Sequence, residues 1–215
     1  MRIAVLGTGS VGQTIGSKLV SLGHDVKMGS RSATHEKASA WASEAGPRAS
    51  LDTFAKSASF GELVFNCTSG RGSADVLTAA APGLDGKVLI DTTNPLDFSN
   101  GFPPSLFTGG SDSLGEQAQR LLPNCKVVKA LSHVTASVMV DASSVAGGDH
   151  HALLCGNDVA AKQQVTKLLQ EWFGWRSVLD LGDITASRGI ESYVALWVRL
   201  MGQLGTASFN IKVVT

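Results

Sequence analysis

The sequence predicts an α/β fold: a doubly wound, mostly parallel sheet followed by a small helical part at the C-terminal end. Short apolar runs, the first over residues 3–6, alternate along the chain with longer segments of helical periodicity. Charged residues make up only 17% of the 215 residues and glycine occurs 24 times, as expected where strands are buried on both faces. This length fits one domain, with or without a small appendage.

Residues 1–31 predict a strand, a glycine turn, a helix and a second strand in succession. Gly7 would let the chain leave the strand in a tight turn, Gly9 would let the backbone approach a pyrophosphate, and Gly12 would let the helix pack against the strand. The N–H groups at the start of the helix, which is the positive end of its dipole, would face the phosphates. The sequence therefore predicts a dinucleotide site formed by Gly7-Thr8-Gly9-Ser10-Val11-Gly12.

The end of the second predicted strand selects between the two nicotinamide dinucleotides. NAD-binding proteins usually carry Asp or Glu here, because the carboxylate accepts hydrogen bonds from the ribose. In this sequence the strand ends in Ser30 and Arg31, and the next carboxylate is Glu36. A guanidinium is a planar, permanently charged donor suited to phosphate, so the site is predicted to bind NADP, with Thr8 and His35 adding to the pocket.

Composition argues against several other classes of protein. Lys and Arg number 18, as do Asp and Glu, so neither nucleic acid nor a membrane surface is an expected partner. No apolar run reaches the ~18 residues of a membrane span and the start does not read as a signal peptide, which favours a cytoplasmic protein. Cys67, Cys125 and Cys155 predict buried free thiols. The run Asp149-His150-His151 predicts no metal site, because adjacent strand residues face opposite ways.

The rest of the chain continues the alternation of strand and helix, with a domain boundary expected near Gly182. Predicted strands lie near residue 49 and over 62–67, 87–91, 125–130, 152–155, 178–181 and 209–215. Predicted helices cover 34–45, 52–58, a segment from about residue 73, 113–122, 159–172 and 185–204. Thr34 is an expected N-cap. Arg188 and Glu191 lie three apart on the last helix and are expected to pair.

Residues at the carboxyl ends of the predicted strands complete the candidate site, because ligands of doubly wound sheets bind at that edge. Thr68 and Ser69 are expected to contact the cofactor or to cap the next helix, or both. Asn94 is placed near the nicotinamide, where an amide can donate and accept, and Pro95 fixes the turn. Residues 96–112 lack periodicity and predict either a functional loop such as a lid or a spacer.

The predicted strand over 125–130 leads to one more segment of this edge. Ala136 is expected to contact the cofactor, and Ser132 and His133 are the candidate catalytic residues. The imidazole of His133 could donate a proton or hydrogen-bond an electron acceptor. A purely structural histidine is the alternative.

The chain resembles the NADP oxidoreductases that use the deazaflavin coenzyme F420. The resemblance rests on the glycine turn and on motifs that together cover nearly the whole chain: Gly29-Ser30-Arg31, Asp91-Thr92-Thr93-Asn94-Pro95-Leu96, Lys129-Ala130-Leu131, Leu154-Cys155-Gly156-Asn157-Asp158, Ser187-Arg188-Gly189-Ile190-Glu191 and Asn210-Ile211-Lys212. It implies a dimeric enzyme with a Rossmann domain, here over 1–181, and a C-terminal helical segment over 182–215 that serves dimerisation and the substrate cleft.

The resemblance also implies hydride transfer between NADPH and a flavin-like acceptor such as coenzyme F420. Thr8, Ser30 and Arg31 match family positions that hold the 2′-phosphate, and the next basic position of the family falls at or near His35. Ser132 stands where the family commonly has His or Asn close to the reacting rings. The alternatives are a reductase of a small carbonyl or imine with His133 as proton donor, a ferric reductase, and a non-catalytic NADP-binding sensor.

Overall fold

The computed structural model of the chain describes residues 1–108 and 110–215, and it confirms the predicted α/β fold. The strands are β1 (Arg2–Leu6), β2 (Asp25–Ser30), β3 (Ala49–Thr53), β4 (Leu63–Asn66), β5 (Val88–Asp91), β6 (Leu96–Asp97), β7 (Ser105–Leu106), β8 (Lys126–Ala130), β9 (His151–Gly156) and β10 (Ser177–Asp180). The α-helices are α1 (Ser10–Ser21), α2 (Glu36–Ala45), α3 (Phe54–Phe60), α4 (Ser73–Ala80), α5 (Leu114–Leu121), α6 (Ala136–Val140), α7 (Val159–Phe173) and α8 (Ser187–Leu204).

Eight of these strands form one sheet in the order β10-β9-β8-β5-β4-β1-β2-β3. The chain begins near the middle of the sheet and winds outward to both sides, which is the doubly wound topology. All neighbours pair in parallel except β8 and β9, which are antiparallel. Because of this reversal, the start of β9 lies beside the carboxyl ends of the earlier strands. We call that side of the sheet the carboxyl edge.

Strand β1 shows why both faces of the sheet are covered by helices. Ile3 and Val5 belong to one hydrophobic core, and Ala4 and Leu6 to the other, and all four are fully buried. Successive side chains of a strand point to opposite faces. A strand that is apolar at every position must therefore be covered on both faces, and α1 supplies Ile15 to the first core.

Residues 96–112 contain an antiparallel hairpin, β6–β7, that was not predicted from the sequence. Strands of two residues are too short to leave a periodic pattern. Arg71 holds the hairpin, because its guanidinium lies 2.7 Å from the Asp97 carboxylate and 4.9 Å from the centre of the Phe107 ring. Gly109, which belongs to the predicted loop, lies outside the described residues.

Two predictions about the C-terminal segment are wrong. Residues 209–215 form no strand in the described chain, although the His151 N–H donates to the Ile211 carbonyl. Arg188 and Glu191 do not pair with each other: Arg188 binds Glu116, whereas Glu191 binds Lys129. A pair within one exposed helix is worth only a few tenths of a kcal/mol, so better-desolvated partners on other elements win.

The predicted N-cap of the second helix is also wrong. The helix α2 begins at Glu36, and its N-cap is His35, whose side chain makes no capping bond. The predicted helix over 34–45 therefore starts two residues too early. Helix ends are set by local backbone geometry that composition alone does not fix.

The cysteine prediction is confirmed, since Cys67, Cys125 and Cys155 are all free and buried. Burial raises the pKa of each of these thiols to about 12. They are therefore protonated and weakly nucleophilic at neutral pH. Within residues 1–108 and 110–215, no group of three or more His, Cys, Asp or Glu side chains is arranged to hold a metal ion. None of the described helices has the length and hydrophobicity needed to cross a bilayer.

Candidate active site

The glycine turn brings the start of α1 to the carboxyl edge. Gly7 has a φ of +119°, and a Cβ there would lie 2.5 Å from the Cys67 carbonyl oxygen, so no other residue fits. A Cβ on Gly12 would collide with the Gly7 carbonyl, which confirms that this glycine allows close packing. Gly9 is the N-cap of α1 and has no side-chain capping bond. The N–H groups of Ser10, Val11 and Gly12 precede the first hydrogen bond of the helix, in which the Gln13 N–H donates to the Gly9 carbonyl, so these three remain available to a ligand.

Beside this turn lies a pocket of about 750 Å³ that we call the Arg31 pocket. It gathers eight of the residues assigned to the cofactor from the sequence, which come from the glycine turn, the end of β2 and the segment after β4. Those residues are Gly7, Thr8, Gly9, Ser30, Arg31, His35, Thr68 and Ser69. Phe54, Cys67, Gly72, Asp75 and Val76 complete the lining and were not assigned from the sequence.

Arg31 and Ser30 differ in how firmly the fold holds them. Arg31 is exposed, and within the described residues it makes no ion pair with a carboxylate. Ser30 is buried and its hydroxyl donates to the Ser32 carbonyl, so its oxygen has room for a further donor. Asp75, from the first turn of α4, is the one carboxylate in the described lining of this pocket. The end of β2 thus presents a free guanidinium to the pocket and no carboxylate of its own.

A second pocket of about 660 Å³, the Asn94 pocket, continues along the carboxyl edge. It shares Cys67, Thr68 and Ser69 with the Arg31 pocket and extends to the end of β5. Its further lining comes from the start of α1, the segments after β4 and β5, and the β6–β7 hairpin: Val11, Gly70, Arg71, Thr92, Thr93, Asn94, Leu96, Asp97, Phe98 and Ser99. The two pockets therefore form one groove across the ends of β2, β1, β4 and β5.

Asn94 joins the end of β5 to the end of β8. Its side-chain N–H₂ donates to the Ser132 carbonyl at 2.7 Å, while its Oδ1 is buried and has no hydrogen-bond partner within the described chain. The Ser132 hydroxyl is likewise buried and without a partner among those residues. Buried polar atoms normally have partners, and Asn94 lines a pocket, so its unpartnered oxygen points to a polar ligand there. The Asn94 oxygen suits an amide donor such as the carboxamide of a nicotinamide.

Several assigned residues line neither pocket. Ser10 and Gly12 belong to the first turn of α1, where Gly12 serves packing. Pro95, Ala136 and Ser132 belong to the segments that follow β5 and β8 and are absent from the described lining of both pockets. Their assignment to the cofactor or to catalysis stays a prediction.

His133 is buried and also lines neither pocket. Its Nε2 lies 3.3 Å from the His151 carbonyl, and its ring centre is 6.1 Å from that of Trp175. The antiparallel start of β9 is what closes over this histidine. Burial lowers the pKa of His133 to about 4, although the hydrogen bond to the His151 carbonyl opposes this shift. A neutral imidazole in the core supports the structural alternative over a proton donor.

We expect His133 to make the fold sensitive to acid. The unfolded chain protonates a histidine near pH 6.5, whereas the folded chain protonates His133 only near about pH 4, so the unfolded state binds more protons between these values. Stability is therefore complete above about pH 6.5 and falls as the pH drops towards about 4. Between about pH 7 and about pH 5 the unfolding free energy of the wild type should fall by about 2 kcal/mol more than that of His133→Leu. Urea unfolding at both pH values measures this difference. An unchanged pH dependence would contradict this.

A buried polar network beneath the groove was not predicted from the sequence. Lys129, Asp91 and Glu191 are at most 1% exposed, and the Lys129 Nζ lies 2.8 Å from Asp91 and 2.9 Å from Glu191. Burial disfavours the charged lysine, but the two carboxylates outweigh burial and raise the pKa of Lys129. A signal was present, because a lysine stands inside the apolar run over 125–130. Its partners were not predictable, since they lie 38 residues before and 62 residues after it in the chain.

The doubly wound sheet, the start of α1 at its carboxyl edge and a guanidinium at the end of β2 that pairs with no described carboxylate are together the features of an NADP-binding Rossmann fold. The family model described as "NADP oxidoreductase coenzyme F420-dependent" matches residues 2–95. The crystal structure of a proposed F420-dependent NADP reductase from Arthrobacter sp. FB24 is 49% identical, covers 100% of both chains and superposes with a TM-score of 0.94. This protein belongs to that family of coenzyme F420-dependent NADP oxidoreductases.

Two further relatives are similar over different shares of their length. The metalloreductase STEAP3 of Rattus norvegicus is 27% identical over 194 residues, which are 89% of this chain and 36% of that protein. The F420-dependent NADP reductase of Methanocaldococcus jannaschii is 33% identical over 118 residues, which are 54% of this chain and 52% of that protein. The aligned regions thus span about a third and about half of these two relatives.

Proposed function

We propose that this protein transfers hydride between NADPH and a flavin-like acceptor such as coenzyme F420. The observation that supports it most is the continuous groove along the carboxyl edge, with Arg31 at one end and Asn94 at the other. The family model and the Arthrobacter structure, whose names include both NADP and F420, support the pairing of this nucleotide with a deazaflavin.

The residues of the groove divide between the parts of the nucleotide. The 2′-phosphate would be held by Arg31 and Ser30, with Thr8 and His35 beside them. The pyrophosphate would accept from the N–H groups of the first turn of α1, next to Gly9. Thr68 and Ser69 stand at the junction of the two pockets, where ribose or phosphate oxygens would pass.

At the Asn94 pocket the protein has to orient two rings and exclude water. Bound NADPH would supply the hydride, so the reaction would require little acid or base catalysis by side chains. The Asn94 amide would fix the carboxamide and thereby the face of the nicotinamide ring. Leu96, from the β6–β7 hairpin, and Phe98, just after β6, provide apolar surface on the acceptor side. A lid role for this hairpin is part of the proposal.

The test is NADPH oxidation, followed by absorbance, against coenzyme F420, FMN, riboflavin, ferric chelates and small ketones. The proposal expects turnover with F420 to exceed that with all other acceptors. Turnover with small ketones alone would favour the carbonyl or imine alternative. Tight NADPH binding without oxidation by any acceptor would leave a non-catalytic sensor and would contradict the proposed reaction.

Reduction of a ferric substrate is the second candidate. Its support is the similarity to a rat protein named a metalloreductase, over 89% of this chain. Such a reaction would use the same groove, because the aligned region includes almost the whole chain. The ferric chelates of the acceptor panel separate the two candidates.

The proposal includes a homodimer, with residues 1–181 as the NADP-binding domain and 182–215 as the dimerisation and substrate-cleft segment. On the last helix, Ile190, Val194 and Val198 are at most 5% exposed, whereas Leu196 and Leu204 are more than half exposed. Exposed apolar side chains on one helix suit a subunit interface. Light scattering would measure the mass in solution, and the mass of a monomer would contradict the homodimer.

A cytoplasmic location is also proposed, since three free thiols suit a reducing compartment.

A further inference from the structure

Three charged side chains lie buried directly beneath the groove, although burial of charge is costly. Asp91 and Lys129 are 0% exposed and Glu191 is 1% exposed. Replacing such a buried ion cluster with apolar residues of similar volume is often neutral or stabilising, so stability alone does not account for it. The cluster connects the end of β5, the end of β8 and α8, which belong to distant parts of the chain.

The ammonium of Lys129 is directed at three oxygens. It donates to Asp91 Oδ2 at 2.8 Å, contacts Glu191 Oε1 at 2.9 Å, and donates to the main-chain carbonyl of Thr93. Thr93 immediately precedes Asn94. Lys129 therefore holds the backbone of the turn that carries the amide predicted to orient the nicotinamide.

A second arm of the network leads to the junction of the two pockets. Asp91 Oδ1 accepts from the Asn66 side-chain N–H₂ at 2.9 Å, and Asn66 Oδ1 accepts from the Thr68 hydroxyl at 2.7 Å. Thr68 lines both pockets. The same lysine thus holds the Asn94 turn through Thr93 and, through Asp91 and Asn66, holds Thr68 at the junction of the two pockets.

Glu191 links this arrangement to the C-terminal helix. Its two carboxylate oxygens also accept from the backbone N–H groups of Leu114 and Gly115, at 2.9 and 3.0 Å, at the start of α5. The Lys129 ammonium therefore contacts both α8, through Glu191, and the main chain of Thr93. A shift of α8 would be transmitted to the Asn94 turn through one side chain.

We infer that Lys129 is a positioning residue for hydride transfer: with Asp91 and Glu191 it sets the position of Asn94 relative to Thr68, which lies at the junction of the two pockets. The inference rests on the proposed function, because it assigns the network to the alignment of the reacting ring. Small misplacements of reacting groups cost on the order of a hundredfold in rate. Nucleotide affinity would depend mainly on Arg31, Ser30 and the start of α1, none of which, within the described chain, bonds to Lys129, Asp91 or Glu191.

The test compares Lys129→Met with Lys162→Met. Lys162 is a matched control, since it is 8% exposed, pairs with Asp180 at 2.8 Å and lies away from both pockets. In Lys129→Met we expect the single-turnover rate of hydride transfer to fall by about tenfold to a hundredfold, while the Kd for NADPH changes by less than about threefold. Lys162→Met should change neither quantity, even if it lowers the Tm.

A purely structural role predicts a different result. Both variants would then lower the Tm, and the transfer rate per folded molecule would equal that of the wild type. That result would overturn the inference. If Lys129→Met does not fold, Glu191→Gln serves instead, because the amide keeps the shape of the side chain and an acceptor for one of the two α5 N–H groups but loses the charge that attracts Lys129. Glu191→Gln should also lower the single-turnover rate of hydride transfer while leaving the Kd for NADPH nearly unchanged.

Fluorescence of bound NADPH distinguishes failure of the inference from failure of the proposed function. If the wild type oxidises no NADPH with any acceptor, the proposed reaction fails. The anisotropy of the bound reduced nicotinamide then still reports on positioning: it should decrease in Lys129→Met and stay constant in Lys162→Met at equal saturation. Equal anisotropy in both variants and the wild type would overturn the positioning role.

Discussion

Replacing Gly9 with alanine should abolish most nucleotide binding while leaving the fold intact. Gly9 has φ −78° and ψ −179°, an extended conformation that alanine adopts freely, and an added Cβ would meet no atom of the described residues within 4 Å beyond its chain neighbours. The methyl group would stand in the Arg31 pocket, in front of the first turn of α1, where the pyrophosphate has to approach the backbone. Loss of two backbone hydrogen bonds to a charged phosphate should weaken NADPH binding by about a hundredfold or more.

Two further glycines provide controls for this experiment. Gly189 lies exposed in α8, and in the described part of the chain no atom comes within 4 Å of an added Cβ, so Gly189→Ala should keep full affinity and raise the Tm slightly. Gly12→Ala should instead destabilise the fold by about 1–3 kcal/mol, because its Cβ would overlap the Gly7 carbonyl. Calorimetry with NADPH and thermal unfolding measure the two effects. Wild-type affinity for NADPH in Gly9→Ala would contradict the assignment of the pyrophosphate to this turn.

Arg31→Ala should change the choice between NADPH and NADH. Arg31 lines the pocket at the end of β2, and no carboxylate of the described chain lies within salt-bridge distance of it. A charged hydrogen bond to the 2′-phosphate contributes to NADPH binding alone, so the variant should lose about ten- to a hundredfold in NADPH affinity and little in NADH affinity. The loss should shrink as ionic strength rises, because salt screens an exposed charge.

The matched control is Arg48→Ala. Arg48 is also exposed, with 54% of its side chain accessible, and it pairs with Asp25 at the opposite end of β2. It carries the same charge and lies away from both pockets. Equal losses for both nucleotides in Arg31→Ala, or equal effects of the two variants, would refute the 2′-phosphate assignment.

The nucleotide end of the groove was predictable from sequence because its parts are close together in the chain. Gly7, Gly9 and Gly12 act within one turn, and Ser30 and Arg31 follow at the end of the very next strand. The rule that ligands bind at the carboxyl ends of parallel strands then added Thr68 and Asn94. The structure brings all of these residues except Gly12 into the lining of one groove.

The same rule did not suffice for His133. It also follows a strand end, and it was therefore a candidate for catalysis. The sequence does not reveal that β9 runs antiparallel to β8, so that its start covers this histidine. Whether a strand runs parallel or antiparallel to its neighbour depends on tertiary packing, which the local sequence pattern does not show.

The sequence by itself determined the doubly wound fold, the dinucleotide turn and the family, because these depend on local periodicity, on glycines with steric roles and on short motifs. Only the tertiary structure decided the partners of the buried charges. Arg188 pairs with Glu116, and Glu191 pairs with Lys129, although the sequence favoured a bond between the two neighbours on α8. The physical reason is desolvation: a charge taken out of water requires the partner that the fold places against it, whatever the separation along the chain.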